Sequence, residues 1–325
     1  MVQFTFPSGV AARTFNDRQD FGLVAEVFKR AASPESDESL PTADEIENEF
    51  TNTQNFNVED GLLIVEAGRV PVGYVLGRWN RELSGTHIYR HIGRLVPGFR
   101  RRGIGTAMLA WAQGYLGAIA SGHAADDKQF QTDASDADVG CVHLVRADGY
   151  QPVAQYASMI RPDLENIPDR PLPGGVEIRP VSEDHLRAVW EADVEAFRDH
   201  FGAIEPNEKD WERFVGDPNR DPSLWKVAWS GDQVVGQVRT FVNEEANRVH
   251  GRKRAYTEDI STTRQWRGRG VAGALICASL RDLKARGYED AGLGVHVENP
   301  TGAYRLYEGL GFRMTTSGAT YQRPI

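Results

Sequence analysis

Cysteine is almost missing from this chain: Cys141 and Cys277 are its two thiols, with no C-x-x-C spacing and no Cys/His cluster. That excludes a disulfide framework and a cysteine-based zinc site, and no metal is expected. Positive charge is in deficit, with 37 Lys and Arg against 46 Asp and Glu, a net charge of −9. Nonspecific nucleic-acid binding is driven by phosphate neutralisation, so no nucleic-acid partner is expected. An acidic balance is compatible with a cationic acceptor, although most acidic surfaces are simply solvated. Long apolar runs are absent too. Nothing reads as a charged-then-apolar leader or a bilayer span, which predicts no membrane association and a cytoplasmic location. What is present, 40% hydrophobic and 26% charged residues over 325 positions, describes a globular chain long enough for two domains.

In order, 15–32 reads as an amphipathic helix and 43–50 as a second short one, with a polar loop over 34–42 between them. Leu62–Ala67 and Val70–Trp79 are β-rich runs around a Gly68-Arg69 turn, a hairpin signal. His87–Val96 is a strand candidate, followed by Arg100-Arg101-Arg102-Gly103-Ile104-Gly105, an apolar helix over 106–119, a strand over 128–132 and a helix over 139–147. Residues 164–175 hold three prolines and two glycines and read as a linker. The order then repeats: a helix over 182–200 with Ser182 as cap, a hairpin around Gly231-Asp232, a strand over 255–262, a Gly/Arg turn, a helix to Arg286, a strand over 291–297 and a short helix over 301–309.

The repeat is explicit. Val72-Gly73 matches Val235-Gly236 at a shift of 163; Arg100, Gly103 and Gly105 match Arg267, Gly270 and Ala272 at 167; Gly149-Tyr150 match Gly311-Phe312 at 162. The expected architecture is therefore α+β, a mixed sheet domain written twice, divided as 1–164, a linker at 165–175, and 176–325.

The stretch from Thr262 to Ala272 joins an extended segment, a Gly/Arg turn and a helix start. Free N–H groups at a helix start lie at the positive end of its dipole and suit a pyrophosphate; Arg267 and Arg269 add charge there. Gly268, Gly270 and Gly273 also spell G-x-G-x-x-G. A dinucleotide fold needs further βα units downstream, and the chain has room for only one helix, one strand and one short helix.

With those residues in view, the chain resembles a tandem member of the GNAT superfamily of N-acetyltransferases. Arg267-Gly268-Arg269-Gly270-Val271-Ala272 matches the superfamily's Q/R-x-x-G-x-G/A motif, and Asn299, Ala303, Tyr307, Gly311 and Phe312 match its later block. The resemblance implies a sheet whose fourth and fifth strands splay around acetyl-CoA, used as co-substrate, with a small-molecule primary amine as acceptor. It implies that backbone N–H groups from Ile260 to Thr262 stabilise the developing oxyanion, that Arg267 to Ala272 seat the pyrophosphate, and that Asn299 orders the strand end and cofactor. Tyr307 stands at the usual general acid; a core tyrosine is the competing reading. Strand alternation puts Tyr256, Glu258, Ile260 and Thr262 on one face, with Glu258 as candidate base and Asp259 facing away. In the first copy Ala137 and Val145 replace Asn299 and Tyr307, while His91 falls nine residues before Arg100 as Glu258 does before Arg267. The first copy is accordingly expected to be degenerate and the second catalytic. Asp193, Phe197, Trp190 and Trp211 flank the acceptor side, at a spacing that a core stripe shows equally. A cysteinyl-sugar acceptor, a peptide or protein amine, and a noncatalytic acyl-CoA-binding module are the alternatives. The oligomeric state stays open.

Overall fold

A computed structural model describes residues 5–32, 40–299 and 301–325. Of the polar loop expected over 34–42, residues 34–39 lie outside the described residues. In chain order the elements are β1 Val10–Thr14, α1 Gln19–Ala31, α2 Ala43–Thr51, α3 Val58–Gly61, β2 Leu62–Ala67, β3 Val70–Arg81, β4 His87–Leu95, α4 Ile104–Ser121, β5 Lys128–Ser135, α5 Val139–Ala147 and β6 Gln151–Arg161. There follow β7 Glu177–Arg179, α6 Leu186–Phe197, α7 Glu208–Val215, β8 Lys226–Ser230, β9 Gln233–Phe241, α8 Glu244–His250, β10 Arg254–Thr262, α9 Val271–Ala285, β11 Asp290–His296, α10 Ala303–Gly309 and β12 Arg313–Pro324.

The chain forms two compact units: residues 1–155, 204–213 and 318–325, and residues 156–203 and 214–317. In unit 1, β1 to β4 form an antiparallel meander, β4 pairs with β5 in parallel, and β5 pairs antiparallel with Gly318–Pro324 of β12. In unit 2, β7 to β10 repeat the meander, β10 pairs with β11 in parallel, and β11 pairs antiparallel with Tyr156–Arg161 of β6. The last strand of each sheet is thus built by the closing segment of the other copy. The segment expected as a linker belongs to unit 2: Leu164 is buried, Ile167 and Leu172 pack on the core, and Arg281 of α9 donates to Pro168 O at 2.7 Å.

Local chemistry explains the elements. Both hairpin turns place glycine at positive φ, 59° at Gly68 and at Gly231, as a two-residue loop between twisted strands requires. Thr42 and Glu45 form a reciprocal capping box at the start of α2. Matched glycines sit where the chain passes close to its neighbours: a Cβ on Gly236 would lie 2.8 Å from Val271 Cγ1, and one on Gly73 would lie 2.9 Å from Arg94 O. The unit 2 core runs between the sheet and α9, including Val235, Val238, Ala255, Leu275, Ile276 and Leu280. Unit 1 buries three clusters; the one facing α1 holds Phe21, Val24, Val27, Tyr74 and Leu76, with Ile92 packed against it.

Candidate active site

In unit 2, β10 and β11 pair at Arg254–Asp290, Ala255–Ala291 and Tyr256–Gly292. Both strands continue, to Thr262 and His296, so they diverge and leave a wedge between them. Glu258 stands two residues beyond the last pair. Its Oε1 accepts the Gly294 N–H of β11 at 2.8 Å, across the wedge. Protein surrounds this carboxyl although part of it stays open. Burial, with Asp259 adding like charge, pushes its pKa up to about 8. Such a group holds a proton at neutral pH and gives it up just above, which suits a base.

Before the wedge the β9–β10 ladder is regular; within it the ladder bulges. Glu258 opposes Arg239 and Ser261 opposes Gln237, so Asp259 and Ile260 share the space opposite Val238. Asp259 takes φ 46°, a left-handed conformation that Asp tolerates better than most residues. Three expectations are corrected here. Asp259 does not face away from Glu258, because its carboxylate meets Arg239, Glu258's ladder partner, at 3.0 Å. Ile260 packs on the α9-side core, and Thr262 lies beside Gly236 on that same side. Ser261 instead joins Glu258 on the α6 side, accepting from Gln237 Nε2 at 3.2 Å. An extra residue reverses the alternation, so strict period-two reading fails beyond it.

Tyr307 of α10 is buried, its ring edge-on to Phe312 at 6.2 Å. Burial and the Glu258 charge raise its pKa, so the phenol keeps its proton. The turn leading to α9 is built on Gly268 at φ 72° and Gly270 at φ 83°. Val271 is buried, whereas Gly268, Arg269 and Gly270 are exposed and Ala272 half-buried; Arg269 lies over the Trp266 ring at 4.9 Å. Arg267 is committed within the protein: it donates to Thr262 O at 3.3 Å, Ala196 O at 2.7 Å and Asp199 at 2.6 Å. It braces the turn. Asn299 Oδ1 accepts from Thr301 N at 2.9 Å and Thr301 Oγ1 at 2.6 Å, ordering the entry to α10.

The sequence reading named no role for a buried polar set on the α6 side. Arg239 Nη2 meets Asp193 at 2.9 Å, and the fully buried Gln237 donates to Asp193 at 2.9 Å and to Val189 O at 3.1 Å. Burial pushes the Asp193 carboxyl above the usual carboxylate range, against the pull of Arg239. A signal did exist: the repeat shift rises from 163 to 167 between hairpin and turn, and one of those residues is the bulge.

Unit 1 has the same wedge without that chemistry. Its parallel pairing stops at Arg90–Gln131, and the β3–β4 ladder runs without a bulge from Gly73–Leu95 to Arg81–His87. Counting by ladder partner, Leu76 opposes Ile92 where Arg239 opposes Glu258. The counterpart of Glu258 is therefore Ile92, which corrects the expected match to His91. His91 is buried, its Nε2 2.8 Å from the Tyr150 hydroxyl, and burial lowers its pKa to about 3. Val145, the counterpart of Tyr307 at the shift of 162, is an apolar core residue.

The description "Acetyltransferase (GNAT) family" matches residues 25–124 and 186–312, and the chain belongs to this family of acyltransferases, which use acyl-CoA. A mycothiol acetyltransferase of Thermobispora bispora is 30% identical over 247 residues, covering 71% of this chain and 75% of that protein. The crystal structure of a GCN5-related N-acetyltransferase from Sphaerobacter thermophilus superposes with a TM-score of 0.72 at 22% identity, over 98% of this chain and 97% of that one. A tandem GNAT protein from the clavulanic acid biosynthesis pathway does so at 0.67 and 14% identity, over 97% and 98%. The tandem mixed-sheet fold and the acyltransferase class are thereby shown. Among the described residues no group of three or more His, Cys, Asp or Glu side chains could hold a metal, and no helix is long and apolar enough to cross a membrane.

Proposed function

We propose that unit 2 transfers the acetyl group of acetyl-CoA directly to a primary amine of a small molecule. The observation that carries this is Glu258: an ionisable carboxyl with a raised pKa at the mouth of the strand wedge, where unit 1 has isoleucine. The site fits the co-substrate. The bulge takes backbone of 259–260 out of regular pairing, and the Gly268–Gly270 turn opens on the first N–H groups of α9, at the end of a helix that favours phosphate. Bound acetyl-CoA supplies a thioester already activated toward amines, so no covalent enzyme intermediate is needed.

Glu258 takes a proton from the acceptor's ammonium, directly or through a water, and frees the neutral amine whose lone pair attacks the thioester. The backbone N–H groups of Ile260 to Thr262 donate to the carbonyl oxygen as charge develops there. Tyr307 supplies a hydrogen bond and proton to the leaving sulfur. The turn from Arg267 to Ala272 anchors the pyrophosphate, with Arg267 holding its shape and Arg269 free to meet phosphate. Asn299 fixes the start of α10 and so the place of Tyr307. Similarity to mycothiol acetyltransferases over most of the chain favours a cysteinyl-sugar amine as the acceptor to try first.

The test is CoA-thiol release from acetyl-CoA against cysteinyl sugars, polyamines, aminoglycosides, amino acids and short peptides, with Glu258→Gln and Tyr307→Phe alongside. Acceptor-dependent release that falls in both variants is expected. Acetyl-CoA binding with no release for any amine would overturn the catalytic reading in favour of an acyl-CoA-binding module.

A further inference from the structure

The bulge in β10 is held from one place. It is bracketed by Glu258 and Ser261, whose ladder partners are Arg239 and Gln237. Both partners donate to the same carboxylate, Asp193 of α6, each at 2.9 Å. Gln237 also reaches Ser261 on one flank of the bulge, and Arg239 reaches Asp259 inside it at 3.0 Å. The guanidinium packs against a pair of touching aromatic rings, 4.9 Å from Phe214 and 5.8 Å from Trp225. Burial works against its charge, but Asp259 and Asp193 more than offset that and keep it protonated. The Arg239 and Asp193 side chains are only 13% and 15% exposed, whereas Asp259 is half exposed. Geometry is therefore fixed on the inner side and the bulge tip is tied to it. Buried ion pairs contribute little net stability, and a role in fixing one conformation is a better reason for such a cluster.

Unit 1 supplies an internal control. The positions of Gln237 and Arg239 are Tyr74 and Leu76, facing Arg94 and Ile92 in a ladder with no bulge. The α1 side there is an apolar cluster, and Arg94 turns its guanidinium over the Phe28 ring at 4.3 Å. Where the polar cluster is absent the strand is straight; where it is present the strand carries a left-handed aspartate.

We propose that Arg239 is a positioning residue for acyl transfer: clamped between Asp193 on α6 and Asp259 on β10, it holds the bulge, and with it the backbone of 260–262, in the geometry the reaction uses. The inference rests on the reading of the unit 2 wedge as the acyl-transfer site. Arg239 acts through that backbone rather than on the reacting atoms, so its loss lowers kcat and leaves donor affinity alone.

Arg239→Lys and Asp259→Asn, singly and together, test it. The first keeps the buried charge and so the fold; the second removes the tie while Asn still tolerates positive φ. Each is expected to lower kcat by about 10- to 100-fold, the effect of misplacing a site by about an ångström. Acetyl-CoA affinity stays within roughly 2-fold, and the double variant is no worse than the poorer single one, since both cut the same link. Amide hydrogen exchange over 257–263 speeds up in all three, a readout that needs no acceptor. Unchanged exchange, or rate losses that multiply, would overturn the clamp. Glu258→Gln measured in parallel separates the two readings. If it leaves turnover intact while the clamp variants lower kcat together, the base assignment falls and the clamp stands. If it abolishes turnover while the clamp variants match the parent, the reverse holds.

Discussion

Two copies of one sheet carry different side chains on one face. Both stop pairing their parallel strands at the same place, Tyr256–Gly292 in unit 2 and Arg90–Gln131 in unit 1. Both brace the strand end with the motif arginine: Arg267 Nε donates to Thr262 O at 3.3 Å and Arg100 Nε to Leu95 O at 3.1 Å. What differs along the strand itself is one inserted residue, the bulge, and the polarity of one face. Unit 2 lines the space between α6 and the sheet with Asp193, Gln237, Arg239 and Glu258; unit 1 lines that between α1 and the sheet with Val24, Tyr74, Leu76 and Ile92. The frame that opens the sheet is therefore independent of the groups that would act in it.

The comparison breaks most sharply at Glu258. Glu258→Gln is expected to lower kcat by about 10²- to 10⁴-fold, the usual worth of a general base. In the parent, activity rises with pH through about 8, because the carboxyl must lose its proton to act. That limb vanishes in the variant and moves to lower pH in Asp259→Asn, which removes the neighbouring like charge. Ile92→Ala is expected to leave turnover unchanged; a drop comparable to that of Glu258→Gln would assign the chemistry to the wrong unit.

The next test concerns how each unit is completed. Tyr321 is encoded at the end of the second copy yet is buried in the unit 1 core with Tyr89, Phe130 and Tyr150. Tyr321→Ala is expected to cost about 3–5 kcal/mol, as for any large aromatic lost from a core. Hydrogen exchange should speed up over β4 and β5 while β10 and β11 keep their protection. Damage confined to unit 2 would contradict the strand assignment.

These results separate what was legible in the sequence from what was not. The hairpins at Gly68-Arg69 and Gly231-Asp232 were legible because β-branched runs bracket a turn that needs positive φ. The helices α4 and α9 were legible because a Gly-rich turn precedes a long apolar run. Strands β6 and β12 were not: Pro152 interrupts one, and the other reads Arg-Met-Thr-Thr-Ser-Gly, polar and flexible in isolation. They become strands because open sheet edges receive them. At the site, Tyr307 and the turn could be named from motif spacing, and Glu258 from strand alternation. The bulge was not placed: the rise in repeat shift from 163 to 167 says that residues were gained between hairpin and turn, but an alternating pattern does not mark which of them will sit outside it, and the match of His91 to Glu258 failed by that one position.

Buried His91 yields a pH test of unit 1. Its folded pKa of about 3 lies below the ordinary 6.5. An unfolded chain then takes up a proton that the folded one refuses, and stability falls as pH drops below 6.5. At pH 5 this costs about 2 kcal/mol. His91→Gln should flatten that part of the stability profile in acid denaturation. Glu258 acts in the opposite sense: raised from 4.5, its contribution is fully present below pH 4.5 and is lost as pH climbs from there to about 8, so Glu258→Gln flattens that range instead.

The smallest difference between the copies lies in their turns. Gly268 takes φ 72°, and its counterpart Arg101 takes φ 62° with a side chain attached. A left-handed conformation costs an ordinary residue about 1–2 kcal/mol, while glycine gives back about 0.5–1 kcal/mol through its greater freedom when unfolded. Arg101→Gly should therefore stabilise unit 1 by up to about 1 kcal/mol, and Gly268→Arg should destabilise unit 2 by a similar amount. Urea denaturation of the pair measures both signs. Because Arg267 and Arg100 hold their turns through the same strand-end carbonyl, neither change should disturb the helix that follows. If Arg101→Gly instead destabilised unit 1, the Arg101 side chain would have to be anchoring the turn.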